Sequence, residues 1–317
     1  TKSVYLSKDR TAINAKRLTL LKRSFFLLVI GLFNFIISPI SDILHFYALY
    51  IAIGACLLTL SNRSLAALAL AAITARPLIM TGFDVVKNWD FNTVVGTGIW
   101  NVSGVIGHFL FNGCFPVIPW MAFVLVGMWI GRRDPSDHYL RRKILLTGIG
   151  AVVFSWSVSR VLVSISSYVG LNPESLHPWS EITAGDSTHL FMISAIGTAL
   201  VVISLSMMLA DRFGNARWLK PHIAAGQTTL SLYVAHIIVG TLFLRAIETR
   251  EMELLFFPVW GTIVFYTSAL LFSYYWTKRF RKGPLEFFMR KFLVFHGPSK
   301  IPSQDLTKEK DFPILAG

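Results

Sequence analysis

Asp42 and His45, three residues apart in SDILHFYALY, have the types and spacing best suited to acid–base chemistry. A helix beginning at Asp42 puts His45 on the same face one turn on, with Phe46 and Leu49 following it. A carboxylate beside an imidazole fixes its tautomer and raises its basicity, which suits a general base working near pH 7. The same spacing also fits a plain helix cap at Asp42 with His45 as an interfacial hydrogen-bonding group, and both readings stay open.

Further chemistry sits inside apolar runs. Arg76, just before Pro77, and Arg160 carry a permanent charge, so each must snorkel to an interface or meet a carboxylate or phosphate. A shared anion site needs both in one cavity. The stretch AAGQTTLSLYVAHIIVG from Ala224 puts Gln227 and Ser231 on one helical face and Thr229, Tyr233 and His236 on another. Such residues also glue packed helices, but His236 near mid-membrane is harder to explain by packing. The candidate catalytic residues are therefore His45, Asp42 and His236, and the candidate substrate-binding residues Arg76, Arg160, Gln227, Ser231, Tyr233 and His108. No histidines pair at a metal-ligand spacing, so no metal is expected. Cys56 and Cys114 suggest neither zinc nor a disulfide, and read as buried small apolar residues.

Eight apolar runs must position these groups: Ser24–Ile40, Ile43–Leu60, Ser64–Met80, Cys114–Ile130, Ile144–Val169, Thr188–Ala210, Ala224–Arg245 and Leu254–Thr277. Each is about long enough for a hydrocarbon core of roughly 30 Å. The expected fold is all-α: a polytopic transmembrane bundle over 24–277, a basic cytoplasmic leader over 1–23 and a basic tail over 278–317, partly an interfacial helix. Of the 30 Lys and Arg residues, only Arg76, Lys87, Arg160, Arg245 and Arg250 lie outside the leader, the tail and alternate gaps. The positive-inside rule then places both termini in the cytoplasm and turns Asp42, Thr81–Gly113, Gly170–Ser187 and Ala246–Glu253 outward.

The net charge of +13 follows from this topology, and no nucleic-acid partner is expected. The expected partners are the bilayer, anionic inner-leaflet lipid at the tail KRFRKGPLEFFMRKF, and a small-molecule or glycan substrate, with a homo-oligomer left open. NVSGVIGHFLFNG reads as a short interfacial or re-entrant helix, and LNPESLHPWSEITAGDS as a second outer loop holding Glu174, His177, Trp179, Glu181 and Asp186. Pro116 and Pro119 should leave the start of their run non-helical until Trp120, and the last two runs should form a hairpin. TKSVYLSKDR resembles the end of a helix, so the chain reads as part of a longer protein.

AAGQTTLSLYVAH from Ala224 and KGPLEFFMRKF from Lys282 resemble a family of bacterial polytopic membrane proteins named for a domain of unknown function, DUF418 (YeiB-like). LLKRSFFLLVIGLFN, SDILHFYALY and FPVIPWMAFVLVGMWIGRR are similar to the middle of that family and to relatives resembling heparan-α-glucosaminide N-acetyltransferase. The resemblance covers most of Leu20–Leu293 and implies a multi-pass protein of the bacterial inner membrane. It also implies movement of an acyl group from a CoA-type donor to an extracytoplasmic sugar or lipid acceptor. No cofactor is bound on this reading, and acyl-CoA is a donor substrate. By resemblance Asp42, His45, Arg160, Gln227 and His236 line a cavity joining donor to acceptor. The relatives' catalytic histidine lies in a stretch that would precede Thr1, so the chain is expected to lack it. The alternative is a non-enzymatic transporter or flippase, since intramembrane His, Arg and Gln equally mark a substrate path.

Overall fold

The computed structural model describes residues 9–38, 42–82, 89–90, 95–96, 101–112, 114–134, 136–170, 179–180, 182, 188–248 and 257–295. It is helical apart from a two-residue antiparallel pairing of Trp89 with Gly96 and Asp90 with Val95.

α1 spans Arg10–Ile37, capped by Asp9, whose carboxylate accepts from Thr11 N at 2.8 Å. The basic leader is therefore helical from Arg10 on and continuous with the first apolar run. α2 covers Leu44–Cys56 and ends in a 3₁₀ turn, Leu57–Thr59. α3 is Asn62–Gly82, and α4, Val102–Gly107, runs into a π-helical turn, His108–Asn112. The expected short helix on NVSGVIGHFLFNG is thus present, started by Asn101, whose side chain accepts from Gly104 N at 2.7 Å. α5 is Val117–Ile130, α6 His138–Val169, α7 His189–Phe213 and α8 Leu219–Gln227. α9 covers Thr229–Glu248, α10 Phe257–Phe280 and α11 Pro284–Phe295. The start of α5 is irregular as its prolines require: Ile118 is non-helical and precedes a cis bond to Pro119.

Small residues set the two closest helix pairs. A Cβ on Gly31 of α1 would lie 2.3 Å from His45 N of α2, and Ser24 Oγ donates to the Ala48 carbonyl at 2.7 Å. A Cβ on Gly148 of α6 would lie 2.7 Å from the Gly197 carbonyl oxygen, and one on Gly197 of α7 would lie 2.8 Å from that of Gly148. Arg141 and Asp211 pair across this second couple. α3 packs on α5 through Leu65, Ala69, Met121, Ala122 and Leu125. The terminal carbonyls of α2 and its 3₁₀ turn are satisfied by Arg17, which bonds Ala55 O at 3.2 Å and Cys56 O at 3.3 Å, and by Arg132, which bonds Leu58 O at 3.1 Å.

All eight apolar runs fall on helices, but helix length supports fewer crossings. Among the described residues α1, α6 and α7 are long and apolar enough to cross a membrane, and α8 with α9 makes a fourth only as a broken span bent by 83°. α2 and α5 are apolar but shorter. Val153, Phe154, Trp156 and Val161 form an exposed apolar stripe on α6 that lipid would solvate.

Two further expectations are corrected. α10 packs chiefly on α8, and α9 meets it through His236 against Phe265 and Phe243 against Gly261, so the last two runs do not form a simple hairpin. Cys56 is exposed and Cys114 half-buried, so neither is a core residue.

Candidate functional site

Asn34 near the end of α1 and Asp42 and His45 at the start of α2 come together, with 0%, 1% and 3% of their surfaces exposed. His45 Nδ1 and Asp42 Oδ2 are 2.6 Å apart, and the same oxygen accepts from His45 N at 3.2 Å. Asp42, one residue before the Ile43 cap position, thus holds both the first turn of α2 and the imidazole of His45. With Nδ1–H given to the carboxylate, Nε2 carries the lone pair. Asp42 Oδ1 accepts from Asn34 Nδ2 at 3.3 Å. The close approach at Gly31 is what allows this, because Asn34 lies one turn further along α1 and faces the same end of α2.

The π-helical turn after α4 forms the next wall. His108 lies on it with 5% of its surface exposed, its ring stacked on His45 with centroids 5.8 Å apart and planes inclined by 12°. Phe35 at 5.2 Å and Phe109 at 5.7 Å face the His45 ring edge-on. His108 stands outside the spanning helices, and burial first, then neighbouring His45, pushes its imidazole down to about 4. Arg76 reaches this element from α3 and donates from Nη1 to the Phe111 carbonyl.

α9 closes the opposite side. Tyr233 Oη accepts from Ile43 N at 2.8 Å and donates to Asp42 Oδ1 at 3.5 Å, the outer limit of a hydrogen bond. Asp42, His45, His108 and Tyr233 thus converge, with Arg76 attached through the π-helical turn.

The other candidates lie elsewhere. His236 is exposed, with Nδ1 2.6 Å from the Tyr233 carbonyl and its ring against Phe265, so it does not reach the Asp42 cluster. Arg160 is exposed on α6, whereas Arg76 is committed to Phe111, and the shared guanidinium site is not formed. Gln227 is exposed at the end of α8, and the bend after it separates its face from that of Ser231. Ser231 instead donates to Glu286 Oε2 at 2.5 Å and serves helix packing. Trp179 meets the His189 ring edge-on with centroids 5.6 Å apart, and Glu174, His177, Glu181 and Asp186 lie outside the described residues. Sequence reasoning missed Asn34 and Glu286. Asn34 carries a signal, a lone amide inside an apolar run, whereas Glu286 falls in the tail expected to be partly an interfacial helix, where a partner on α9 has no local sign.

Among the described residues no group of three or more His, Cys, Asp or Glu side chains could hold a metal ion. A carboxylate-oriented imidazole is chemically able to accept and return a proton.

No curated protein and no solved structure matches this chain. Two protein families do match it. One is described as heparan-alpha-glucosaminide N-acetyltransferase, catalytic, and covers residues 19–159, including the whole Asn34–His108 cluster. The other is described as protein of unknown function (DUF418) and covers residues 141–296, from α6 through α11. The chain is therefore similar in its first half to the heparan-alpha-glucosaminide N-acetyltransferase catalytic family and in its second half to DUF418, the two resemblances its sequence carries.

Proposed function

We propose that this protein is a membrane-embedded acyltransferase in which His45, oriented by Asp42, is the general base. The reading rests on one observation, the buried carboxylate–imidazole contact of 2.6 Å. It draws support from the match of that segment to an acetyltransferase catalytic family. His45 Nε2, Asn34 Oδ1 and His108 Nδ1 are buried polar atoms without a hydrogen-bond partner among the described residues. Buried polar atoms are normally bonded, so three such atoms on neighbouring side chains suit a polar guest such as an acceptor hydroxyl or amine.

In the proposed step, Nε2 takes the acceptor's proton as its oxygen or nitrogen bonds to the thioester carbonyl carbon of an acyl-CoA donor. The tetrahedral oxyanion collapses, the carbon–sulfur bond breaks, and the CoA thiolate leaves with the proton from the imidazolium. Asp42 stabilises that imidazolium and holds its tautomer. We place the eight apolar runs in the bacterial inner membrane with both termini cytoplasmic, donor on the inside and a sugar or lipid acceptor from the outside. The cationic tail then meets anionic inner-leaflet lipid. Arg76, fixed beside the site at Phe111, is the guanidinium better placed to hold an anionic part of donor or acceptor.

The experiment uses purified protein in detergent with acetyl-CoA and glucosamine as probes. Thermal stabilisation by acetyl-CoA and thiol release on adding the sugar are expected, with His45→Ala lowering the release rate about 10²–10⁴-fold. No response to acetyl-CoA and no thiol release would refute the acyltransferase reading. One observation favours a second reading: the 83° break between α8 and α9 has the form of the discontinuous helices that transporters use. Detergent solution separates the two readings, because transfer needs no sealed compartments and transport does.

A further inference from the structure

The closing Gly-Pro-Leu-Glu stretch, Gly283–Glu286, takes no part in the proton transfer, yet it is built against the same helix that closes the site. α9 starts afresh after the bend at Thr228, so its first N–H groups need acceptors from elsewhere. Glu286 of α11 supplies them. Its Oε1 accepts from Leu230 N at 2.6 Å and Ser231 N at 3.2 Å, and its Oε2 from Ser231 Oγ at 2.5 Å. Ser231 Oγ in turn accepts from Leu285 N at 3.0 Å. Gly283 is needed for this fit, since a Cβ there would lie 2.1 Å from Glu286 Oε2 and 2.8 Å from Ser231 Oγ. An anionic cap on a helix N-terminus gains both from charge-assisted bonds and from the helix dipole.

Two residues beyond this latch, Tyr233 holds Ile43 N and meets Asp42. The far end of α11 is also fixed, with Phe292 packed on Phe25 and Phe26 of α1, ring centroids 6.4 and 5.8 Å apart. One chain of contacts therefore runs from α1 through α11 and the first turn of α9 back to the loop that follows α1.

We propose that Glu286 is a positioning residue: by latching the first turn of α9 to α11, it sets Tyr233 against Ile43 and Asp42 and so holds the loop that orients His45. The proposal rests on the Asp42–His45 reading of the site, but its test follows the loop and not acyl transfer, so either can fail alone.

The test is amide hydrogen exchange of the full chain in detergent, followed at Ile43, Leu230, Ser231 and Leu285. Glu286→Ala is expected to raise exchange at Leu230 and Ser231 and also at Ile43, by about five-fold or more for the loss of one hydrogen bond. Glu286→Gln keeps an acceptor oxygen and should restore protection at Ile43. Tyr233→Phe should free Ile43 while Leu230 and Ser231 stay protected. The proposal is overturned if Glu286→Ala frees Leu230 and Ser231 and leaves Ile43 unchanged, or if Tyr233→Phe leaves Ile43 protected. Should Glu286→Ala fail to fold, Ser231→Ala takes its place: freed exchange at Leu285 together with Ile43 supports the latch, and at Leu285 alone refutes it.

Discussion

At the residue scale, one carboxylate does two jobs. Asp42 Oδ2 accepts both the backbone and the ring N–H of His45, so helix start and imidazole tautomer are fixed by the same atom. Asp42→Asn is expected to keep the cap but lose the charge that stabilises an imidazolium, which a pH–rate profile of thiol release would report. His108 gives a second prediction. Its folded value of about 4 lies below the ordinary 6.5, so the unfolded chain binds the proton more readily. Its contribution to stability is present above pH 6.5 and is lost as pH falls towards 4. Thermal melts of wild type against His108→Phe should differ in pH dependence across that window and run parallel above it. The Asp42–His45 pair was legible in the sequence because three-residue spacing on a helix start is local. Asn34 and His108 were not legible as partners, since they reach the pair only through the Gly31 helix contact and the π-helical turn.

At the scale of elements, the α6–α7 crossing depends on two glycines meeting backbone to backbone. Gly148→Leu must push α7 away, with overpacking costing about 1–3 kcal/mol and a lowered Tm. Gly150, whose added Cβ would meet nothing within 4 Å, is the control, and Gly150→Leu should leave Tm nearly unchanged. An equal effect of the two substitutions would argue against the packed crossing. Helix existence was readable from apolar runs throughout, but the bend inside AAGQTTLSLYVAH was not, because no proline or charge marks it. At the bend Thr228 Oγ1 meets the Ala224 and Ala225 carbonyls, each at 3.2 Å, and Ser273 Oγ on α10 at 2.8 Å. That bend moves Gln227 away from Ser231 and gives α9 the free N-terminus that Glu286 caps.

At the scale of the whole molecule, the candidate site draws on both family matches. The Asn34–His108 cluster lies wholly in the first segment, while Tyr233 and Glu286 come from the second. The charge asymmetry predicts that a cysteine at Ser136 is labelled by an impermeant reagent only after cells are opened, and one at Val102 without opening; the reverse pattern would invert the proposed orientation. The central claim concerns proton transfer at a buried pair. Its most direct measurement is thiol release from acetyl-CoA by wild type, His45→Ala and Asp42→Asn at equal folded concentration with glucosamine as acceptor. The account predicts turnover by wild type and a loss of at least about 10²-fold in both variants, with stabilisation by acetyl-CoA retained. Undiminished thiol release by His45→Ala would contradict it.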